Sequence, residues 1–182
     1  MIQFVQNREI YERVIRDAVP KAARRLWIAT ADIKDMYVDL GGSEMEPFLK
    51  VLSQLIGRGV EVRLIHAKEP GPNFREDFDR YPRLARGLER VLCPRVHFKC
   101  VIINGTLAYF GSANLTGAGM GSKSERKRNF ENGVWTDDPS LITPLEEQFD
   151  AVWRGGFCRD CGRKDYCPDP ILTDWVSGFR DE

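Results

Sequence analysis

The chain has 182 residues, enough for one domain with a substantial core, and its 42% hydrophobic and 30% charged residues are ordinary for a globular protein. Its 27 basic and 27 acidic side chains cancel, so no net charge draws it to nucleic acid or membrane, and such binding requires a local patch. No stretch has the pattern of a signal peptide or the apolar length of a membrane span, which predicts a cytoplasmic protein.

The first half of the chain alternates helical and strand patterns. Apolar residues at helical spacing follow Asn7, which is a suitable N-cap for a first helix. Short apolar runs at residues 26–31 and 60–65 predict two buried strands. Between these strands, Ser43 and Glu46 have the spacing of a capping box, which predicts that a second amphipathic helix begins there. This order predicts crossover connections and an α/β sheet.

The second half contains a hairpin signal. Residues 74–92 keep a helical spacing of apolar residues and predict a further helix. The pair Asn104-Gly105 lies between two apolar runs and predicts a β-hairpin with a type I′ turn, because both residues tolerate positive φ. The remaining predicted elements are a polar, glycine-containing loop at residues 117–128, a strand at 130–136 and a helix at 139–153.

The hairpin brings polar groups together at one end. His97 and Lys99 are two residues apart, so on an extended strand both side chains leave the same face. The returning strand leads back to that end through Gly111, Ser112 and Asn114. An imidazole, an ammonium group, a hydroxyl and an amide at one place predict an oxyanion or phosphate site.

The spacing of these residues resembles the signature of the phospholipase D superfamily, in which His-x-Lys, an acid and Gly-Ser-x-Asn follow at fixed intervals. Six positions carry the resemblance: His97, Lys99, Asn104, Gly111, Ser112 and Asn114. The family usually has Asp at the third of these positions. The resemblance extends over about residues 8–154 and implies a phospholipase D-like mixed β-sheet flanked by helices on both faces. We therefore expect a catalytic domain at residues 1–154 and a cysteine-rich C-terminal extension at residues 155–182.

The resemblance also implies a mechanism without a catalytic cofactor. In the family, one histidine attacks phosphorus to give a phosphohistidine and a second histidine protonates the leaving group. This implies catalytic roles for His97, Lys99 and Asn114, with Ser112 binding the substrate. Because the chain has one copy of the motif, it implies a homodimer whose two motifs complete the site. Glu131 matches a glutamate that hydrogen-bonds the catalytic imidazole in single-copy nucleases of the family.

A second His-x-Lys pair occurs at His66 and Lys68. Proline and glycine residues follow it and exclude a second strand, and no Gly-Ser-x-Asn sequence comes after. His66 is therefore predicted to be a polar residue at a strand end. A substrate contact is the alternative, because strand ends line the ligand crevice in α/β sheets.

The predicted substrate is nucleic acid. Four basic residues lie close together in the loop after the motif, which predicts contact with a phosphate backbone, with a solvated polar loop as the alternative; they are Lys123, Arg126, Lys127 and Arg128. The sequence thus predicts a nuclease acting on DNA or RNA. A lipid phosphodiesterase and a catalytically silent nucleic-acid-binding scaffold stay open, the latter because Asn104 replaces the family acid.

Cysteine spacing gives a further signal. Cys158, Cys161 and Cys167 are spaced as thiolate ligands of a soft metal, with three free cysteines as the alternative. The spacing is similar to that of the iron–sulfur site of RecB-like and CRISPR-associated exonucleases. Cys93, in the loop before the motif, is the candidate fourth ligand, and Cys100 is predicted to pack in the core. We therefore expect a structural [4Fe–4S] cluster or Zn²⁺ that ties the extension to the domain.

Overall fold

The structure is a computed structural model, and it describes residues 1–34, 36–42 and 44–171. The strands in these ranges are β1 (Ile2–Gln6), β2 (Arg25–Thr30), β3 (Tyr37–Val38), β4 (Glu46–Pro47), β5 (Glu61–His66), β6 (Leu88–Leu92), β7 (Lys99–Ile103), β8 (Leu107–Gly111) and β9 (Asn132–Thr136). Helix α1 is irregular and passes from an α-helical turn at Arg8–Ile10 through π-helix at Tyr11–Ala18 to 3₁₀-helix at Val19–Lys21. The other helices are α2 (Phe48–Gly57), α3 (Pro72–Asp79), α4 (Pro82–Gly87) and α5 (Pro139–Trp153), followed by a 3₁₀ turn at Lys164–Tyr166.

Within the described ranges, seven strands form one mixed sheet in the order β1-β9-β8-β7-β2-β5-β6. Strands β2, β5 and β6 are parallel, and the chain connects them through α2 and then through α3 and α4. Strands β7, β8, β9 and β1 are each added antiparallel to their neighbour. The predicted α/β class and crossover connections are confirmed.

Helices cover both faces of the sheet, because its central strands carry apolar side chains on both sides. One face packs against α1 to α4, with Ile28 and Val101 of the sheet in the same cluster as Val14 and Leu52 of the helices. The other face packs against α5, where Trp27 stacks on Phe149 with ring centroids 5.0 Å apart. None of the helices in the described part of the chain has the length and apolar character needed to span a bilayer.

The predicted helix at residues 74–92 is wrong in its last part. Helix α4 ends at Gly87, and residues 88–92 form β6, which pairs in parallel with β5. Gly87 lies against α2, since a Cβ there would stand 2.4 Å from Cγ2 of Ile56. The apolar residues Leu88 and Leu92 are four apart, a spacing that fits one helix face and also one strand face. Pairing with β5 decides between the two.

The predicted start of the second helix is also wrong. Helix α2 begins at Phe48 with Pro47 as its N-cap, and Glu46 belongs to the short strand β4. Ser43 of the expected capping box lies outside the described residues. The side chain of Glu46 instead accepts a hydrogen bond from Nζ of Lys50 at 2.7 Å.

Candidate active site

The polar residues of the motif lie at one edge of the sheet. Strands β2 and β8 end at this edge, while β7 and β9 begin there, because each of these neighbours runs antiparallel to the next. The edge therefore brings together Thr30, Lys99, Ser112 and Asn132, with His97 just before β7. The sequence places these residues far apart, and the antiparallel pairing assembles them.

His97 and Lys99, predicted to leave the same face of the chain, are in direct contact. Nζ of Lys99 lies 3.1 Å from Nδ1 and 3.4 Å from Nε2 of His97, and it donates to the His97 carbonyl oxygen at 2.5 Å. An ammonium group can only donate, so the tautomer of His97 decides which of these two ring nitrogens can accept from it. Lys99 is only 7% exposed, and burial lowers its pKa, while the nearby Glu131 acts to raise it. His97 itself is exposed.

Glycine is required beside Lys99. Gly111 pairs with Lys99 on one side and with Gly133 on the other, so no side chain of these neighbours covers the ammonium group. A Cβ at Gly111 would lie 2.3 Å from the carbonyl oxygen of Asn132 and 2.6 Å from Cα of Gly133. Strand β9 approaches β8 too closely for any side chain at this position of the motif.

Glu131 lies at the same edge but does not make the expected hydrogen bond to the imidazole of His97. Its carboxylate accepts hydrogen bonds from Oγ of Ser112 and from Nδ2 of Asn129, the latter at 3.0 Å. In the described chain no hydrogen bond joins Glu131 to the imidazole, and its effect on the pKa of Lys99 shows its proximity to the ammonium group instead. The carboxylate is held by Ser112 because β8 ends next to the first residue of β9.

Asn114 is anchored by its side-chain oxygen. Oδ1 accepts hydrogen bonds from the backbone N–H groups of Ala31 at 3.2 Å and Asp32 at 3.1 Å, and lies 3.4 Å from Oγ1 of Thr30. The amide NH₂ group donates no hydrogen bond within the described chain, where every fully buried polar side-chain atom has a partner, so solvent reaches it. Asn114 is therefore placed to donate to a bound anion.

Two positioning residues were missed by sequence reasoning. Thr30 is fully buried, and its Oγ1 donates to the carbonyl oxygen of Asp32 at 2.7 Å and accepts from the N–H of Leu115 at 2.9 Å. Asn7 precedes α1 as predicted but makes no side-chain cap; its Oδ1 accepts from the N–H of Glu131 at 3.0 Å. A threonine closing an apolar strand was a usable signal, whereas no local pattern pointed from Asn7 to Glu131.

A basic flap lies between Asn114 and Glu131, and we define it as residues 123–128. All of its charged side chains except that of Arg128, which is half-buried, are exposed. None of them forms an ion pair with another described residue. Backbone hydrogen bonds fix its fold, including Lys127 N–H to Ser124 at 2.9 Å. Close by in sequence, Phe130 is 96% exposed.

Asn104 lies at the opposite end of β7 from His97. Both turn residues have positive φ, 57° at Asn104 and 72° at Gly105, which confirms the predicted hairpin. Oδ1 of Asn104 accepts from the backbone N–H groups of Ala23 at 3.0 Å and Arg24 at 2.9 Å. The residue that departs from the family signature thus braces the start of β2, and it is separated from the imidazole by the length of β7, about 17 Å.

His66 ends β5 and is only 2% exposed, so it does not face a substrate. Its Nδ1 lies 2.7 Å from the carbonyl oxygen of Lys68, which makes Nδ1 the protonated nitrogen. Burial lowers the pKa of His66, and this favours the neutral ring. The prediction of a polar residue at a strand end is confirmed.

The cysteines fall into two groups. Cys100 is buried in β7, and burial raises its pKa to about 12, which confirms the predicted core thiol. Cys93, Cys158, Cys161 and Cys167 are half-buried free thiols. In the part of the chain that the structure describes, no three His, Cys, Asp or Glu side chains stand in an arrangement able to hold a metal ion. The metal site stays a prediction.

Comparison with known proteins agrees with this geometry. A family model described as "Cardiolipin synthase, PLD-like domain" matches residues 15–153. A Chlamydomonas reinhardtii protein named mitochondrial cardiolipin hydrolase is 29% identical over 104 residues, which are 57% of this chain and 44% of that protein. The chain thus spans less than half the length of this curated relative.

Several solved structures share the fold. Nuc from Salmonella typhimurium, a phospholipase D family member, has a TM-score of 0.60 and 18% identity over 84% of this chain and 93% of its own. NucT from Helicobacter pylori has a TM-score of 0.60 and 15% identity over 84% and 96%. TrmBL2, an archaeal chromatin protein, has a TM-score of 0.57 and 13% identity over 84% and 51%. Together with the family match over most of its length, the motif and the fold show that this chain belongs to the phospholipase D superfamily of phosphodiesterases.

Proposed function

We propose that this protein is a nuclease that cleaves DNA or RNA through a phosphohistidine intermediate. The observation that carries the proposal is the contact between the buried ammonium group of Lys99 and the exposed imidazole of His97. Imidazole is a nucleophile in its neutral form, in which one ring nitrogen carries a lone pair that can attack phosphorus. An ammonium group held beside a nucleophile is suited to a reaction at an anionic phosphate.

The residues divide the reaction between them. A ring nitrogen of His97 attacks phosphorus, the bond to the leaving oxygen breaks, and a phosphohistidine forms; water then attacks phosphorus and the P–N bond breaks. Lys99 and the NH₂ group of Asn114 would hold the non-bridging oxygens, whose charge persists throughout the transfer. Ser112 keeps Glu131 at the site edge, where its carboxylate would stabilise an imidazolium ion.

A second protonated imidazole must supply the proton to the leaving oxygen, and we assign it to His97 of a second copy of the chain. An apolar strip on the α5 face of the sheet supports this homodimer. Phe4 pairs with Val134, and Val134 with Phe110, so the three side chains share that face. Helix α5 leaves Phe4 exposed and the other two half-buried, so a second copy has apolar surface to cover.

The basic flap and Phe130 support nucleic acid as the substrate. The unpaired cationic side chains of the flap can follow a phosphate backbone, whose binding they would make salt-dependent. Phe130 is one residue from Glu131 and projects its ring into solvent, where a base can stack on it. Stacking requires an unpaired base, so this arrangement favours a single strand.

A lipid phosphodiesterase is the second candidate. Its support is the description of the matching family and the name of the curated relative, both of which refer to cardiolipin. The observed cationic flap would serve an anionic lipid headgroup as well as a nucleotide. The two candidates differ in Phe130, which stacks with a base but has no such partner in a headgroup.

The first experiment compares substrates. End-labelled single- and double-stranded DNA and RNA, and cardiolipin vesicles, are incubated with the protein in EDTA. We expect cleavage of nucleic acid, its loss in His97→Ala by about 10³-fold or more, and its retention in the matched control His66→Gln. Turnover of cardiolipin alone would favour the second candidate. Binding of nucleic acid without turnover would leave a scaffold, and dependence on a divalent metal would contradict the mechanism.

The second experiment tests the shared site. Wild-type and His97→Ala chains are unfolded together, refolded at different ratios and assayed, with dimer mass checked by light scattering. A site that needs both histidines predicts activity proportional to the square of the wild-type fraction, or about one quarter at equal mixing. A linear decrease would show that one chain holds a complete site.

The third experiment tests Phe130. Its replacement by Ala is expected to weaken single-strand binding by about 1–3 kcal/mol, the usual contribution of one stacked base. The control is Phe157→Ala, because Phe157 is also an exposed phenylalanine, with 57% of its surface accessible, but it lies in the extension. Equal effects of the two replacements would contradict a stacking role for Phe130.

A further inference from the structure

The C-terminal extension is attached to the loop that precedes the motif strand. The guanidinium group of Arg163 donates to the carbonyl oxygen of Pro94 at 2.8 Å, and a carboxylate oxygen of Asp169 lies 3.4 Å from the N–H of Leu92. Leu92 is the last residue of β6, and residues 93–98 connect β6 to β7. The extension therefore docks beside Cys93, four residues before His97.

Residues 155–171, the described part of the extension, form a closed loop. Gly155 has a φ of +71°, and a Cβ there would lie 2.6 Å from Cβ of Ile171. The last described residue therefore packs against the first residue of the extension. Apart from the turn at Lys164–Tyr166, residues 155–171 have no helix or strand. They also contain no buried residue. A segment of this length without buried residues gains little stability from hydrophobic burial, so a metal link would add to the docking contacts that hold it.

Cysteines are the inward-facing residues of this loop. Between residues 155 and 171 every residue is exposed except Gly155 and Ile171, which close the loop, and Cys158, Cys161 and Cys167. The N–H of Cys161 donates to the carbonyl oxygen of Cys158 at 3.3 Å, which is a tight turn. Such a turn lets two sulfurs two residues apart approach the same ion.

Two contacts join these thiols to the loop that holds Cys93. Sγ of Cys167 lies 3.9 Å from the carbonyl oxygen of Leu92, and a guanidinium nitrogen of Arg95 lies 3.6 Å from Sγ of Cys161. Cys93 lies between these two contacted residues in the sequence. Its own N–H donates to the carbonyl oxygen of His66 at 2.9 Å, so its backbone is fixed to the end of β5.

Two hydrogen-bond donors lie around the sulfur of Cys161. Its sulfur accepts hydrogen bonds from the backbone N–H of Arg163 and from the side chain of Arg95. Donors of this kind around ligand sulfurs stabilise their negative charge and orient them. The guanidinium groups of Arg95 and Arg163 lie nearby and would offset the net negative charge of a metal surrounded by thiolates.

We propose that Cys93, Cys158, Cys161 and Cys167 form a tetrathiolate site whose metal centre fastens the extension to the β6–β7 loop. Binding removes a proton from each thiol and places the sulfurs about 2.3 Å from a zinc ion, or on the irons of an iron–sulfur cluster. The docking contacts bring the extension to the loop that holds Cys93. The four sulfurs do not stand in a metal-holding arrangement in the described chain, so metal binding would have to draw them together. The centre is structural, because the reaction at His97 does not use it.

The test measures metal in the full chain. Protein purified without oxygen is analysed for zinc, iron and acid-labile sulfide per chain. We expect either about one zinc and no colour, or about four irons and four sulfides with a brown colour, and the two results distinguish the centres. Protein that folds and holds no stoichiometric metal under both zinc- and iron-supplemented growth would overturn the proposal.

Variants then identify the ligands. Cys93→Ser and Cys161→Ser are expected to lose the metal and the part of the thermal stability that it supplies. The matched control Cys100→Ala changes a thiol of the core and is expected to retain both. Full metal content in Cys93→Ser would refute the four-ligand set, and equal loss in the control would refute the site.

A measurement on the unmodified chain covers the case in which a variant does not fold. Native protein is alkylated, digested and mapped by mass spectrometry before and after the metal is removed by acidification. The four half-buried cysteines are expected to react only after removal. Equal alkylation of these thiols in both samples would overturn the proposal.

Discussion

Replacing Asn104 tests whether the residue that departs from the family signature matters to the fold or to the reaction. In Asn104→Ala two good hydrogen bonds to Oδ1 are lost, from Ala23 at 3.0 Å and from Arg24 at 2.9 Å. Each contributes about 1 kcal/mol, and holding Ala at a φ of 57° adds about 1 kcal/mol of strain. We expect a loss of about 3 kcal/mol, which lowers Tm by about 6–12 °C for a chain of this size.

Two further replacements separate these contributions. Asn104→Gly removes the acceptor but accepts positive φ without strain, so its cost is expected to be about 2 kcal/mol. Asn104→Asp keeps an oxygen at the same place and adds charge near Arg24, so its Tm should stay within about 2 °C of wild type.

The assay combines thermal unfolding with diester cleavage at a temperature where every variant is folded. Because the site is about 17 Å away along β7, cleavage per folded chain is expected to be unchanged in all three variants. A fall in cleavage comparable to that of His97→Ala, with Tm unaltered, would refute the reasoning and assign this position to the chemistry. A rise in cleavage for Asn104→Asp alone would also refute it.

Three more predictions concern stability. Gly111→Ala is expected to cost about 1–3 kcal/mol in urea unfolding through overpacking against β9, whereas Gly71→Ala, with open space around it, should stay within about 1 kcal/mol of wild type. Thr30→Val should cost about 1–3 kcal/mol by leaving the buried N–H of Leu115 without an acceptor, and Thr30→Ser should restore it. Because burial lowers the pKa of His66 below its ordinary value of about 6.5, the unfolded chain binds more protons, and the free energy of unfolding should fall as pH drops below 6.5. His66→Gln should lack this part of the slope, and an equal slope in both proteins would contradict it.

Local sequence patterns predicted the hairpin, and they also predicted that His97 and Lys99 lie on the same face. The turn at Asn104-Gly105 depends on two adjacent residues, and the contact of His97 with Lys99 depends on a spacing of two, so neighbouring positions suffice. Strand β6 was missed because its apolar residues fit two periodicities, and only the neighbouring strand β5 selects one. Short strands β3 and β4 have no pattern of their own.

The surroundings of Glu131 could not be predicted from local sequence. It was predicted to lie on the strand after the motif, but it lies immediately before β9, which begins at Asn132. Its carboxylate is held by Ser112, and its backbone by Asn7, more than a hundred residues earlier. Both partners depend on which strands become neighbours. The resemblance supplied the family and the site, while the hydrogen bonds inside the site followed from this chain's own packing.

Strand β1 affects the order in which the site is assembled during folding. Gln6 pairs with Asn132 and Ile2 with Thr136. Strand β1 therefore cannot pair until β9, at the other end of the domain sequence, is in place. Closing a loop of this length is entropically unfavourable, and contacts so distant in sequence slow folding. Since Asn7 directly follows β1 and fixes Glu131, the site reaches its final form with this closure. During synthesis the motif residues therefore emerge before β9, and the site can be completed only after β9 has followed.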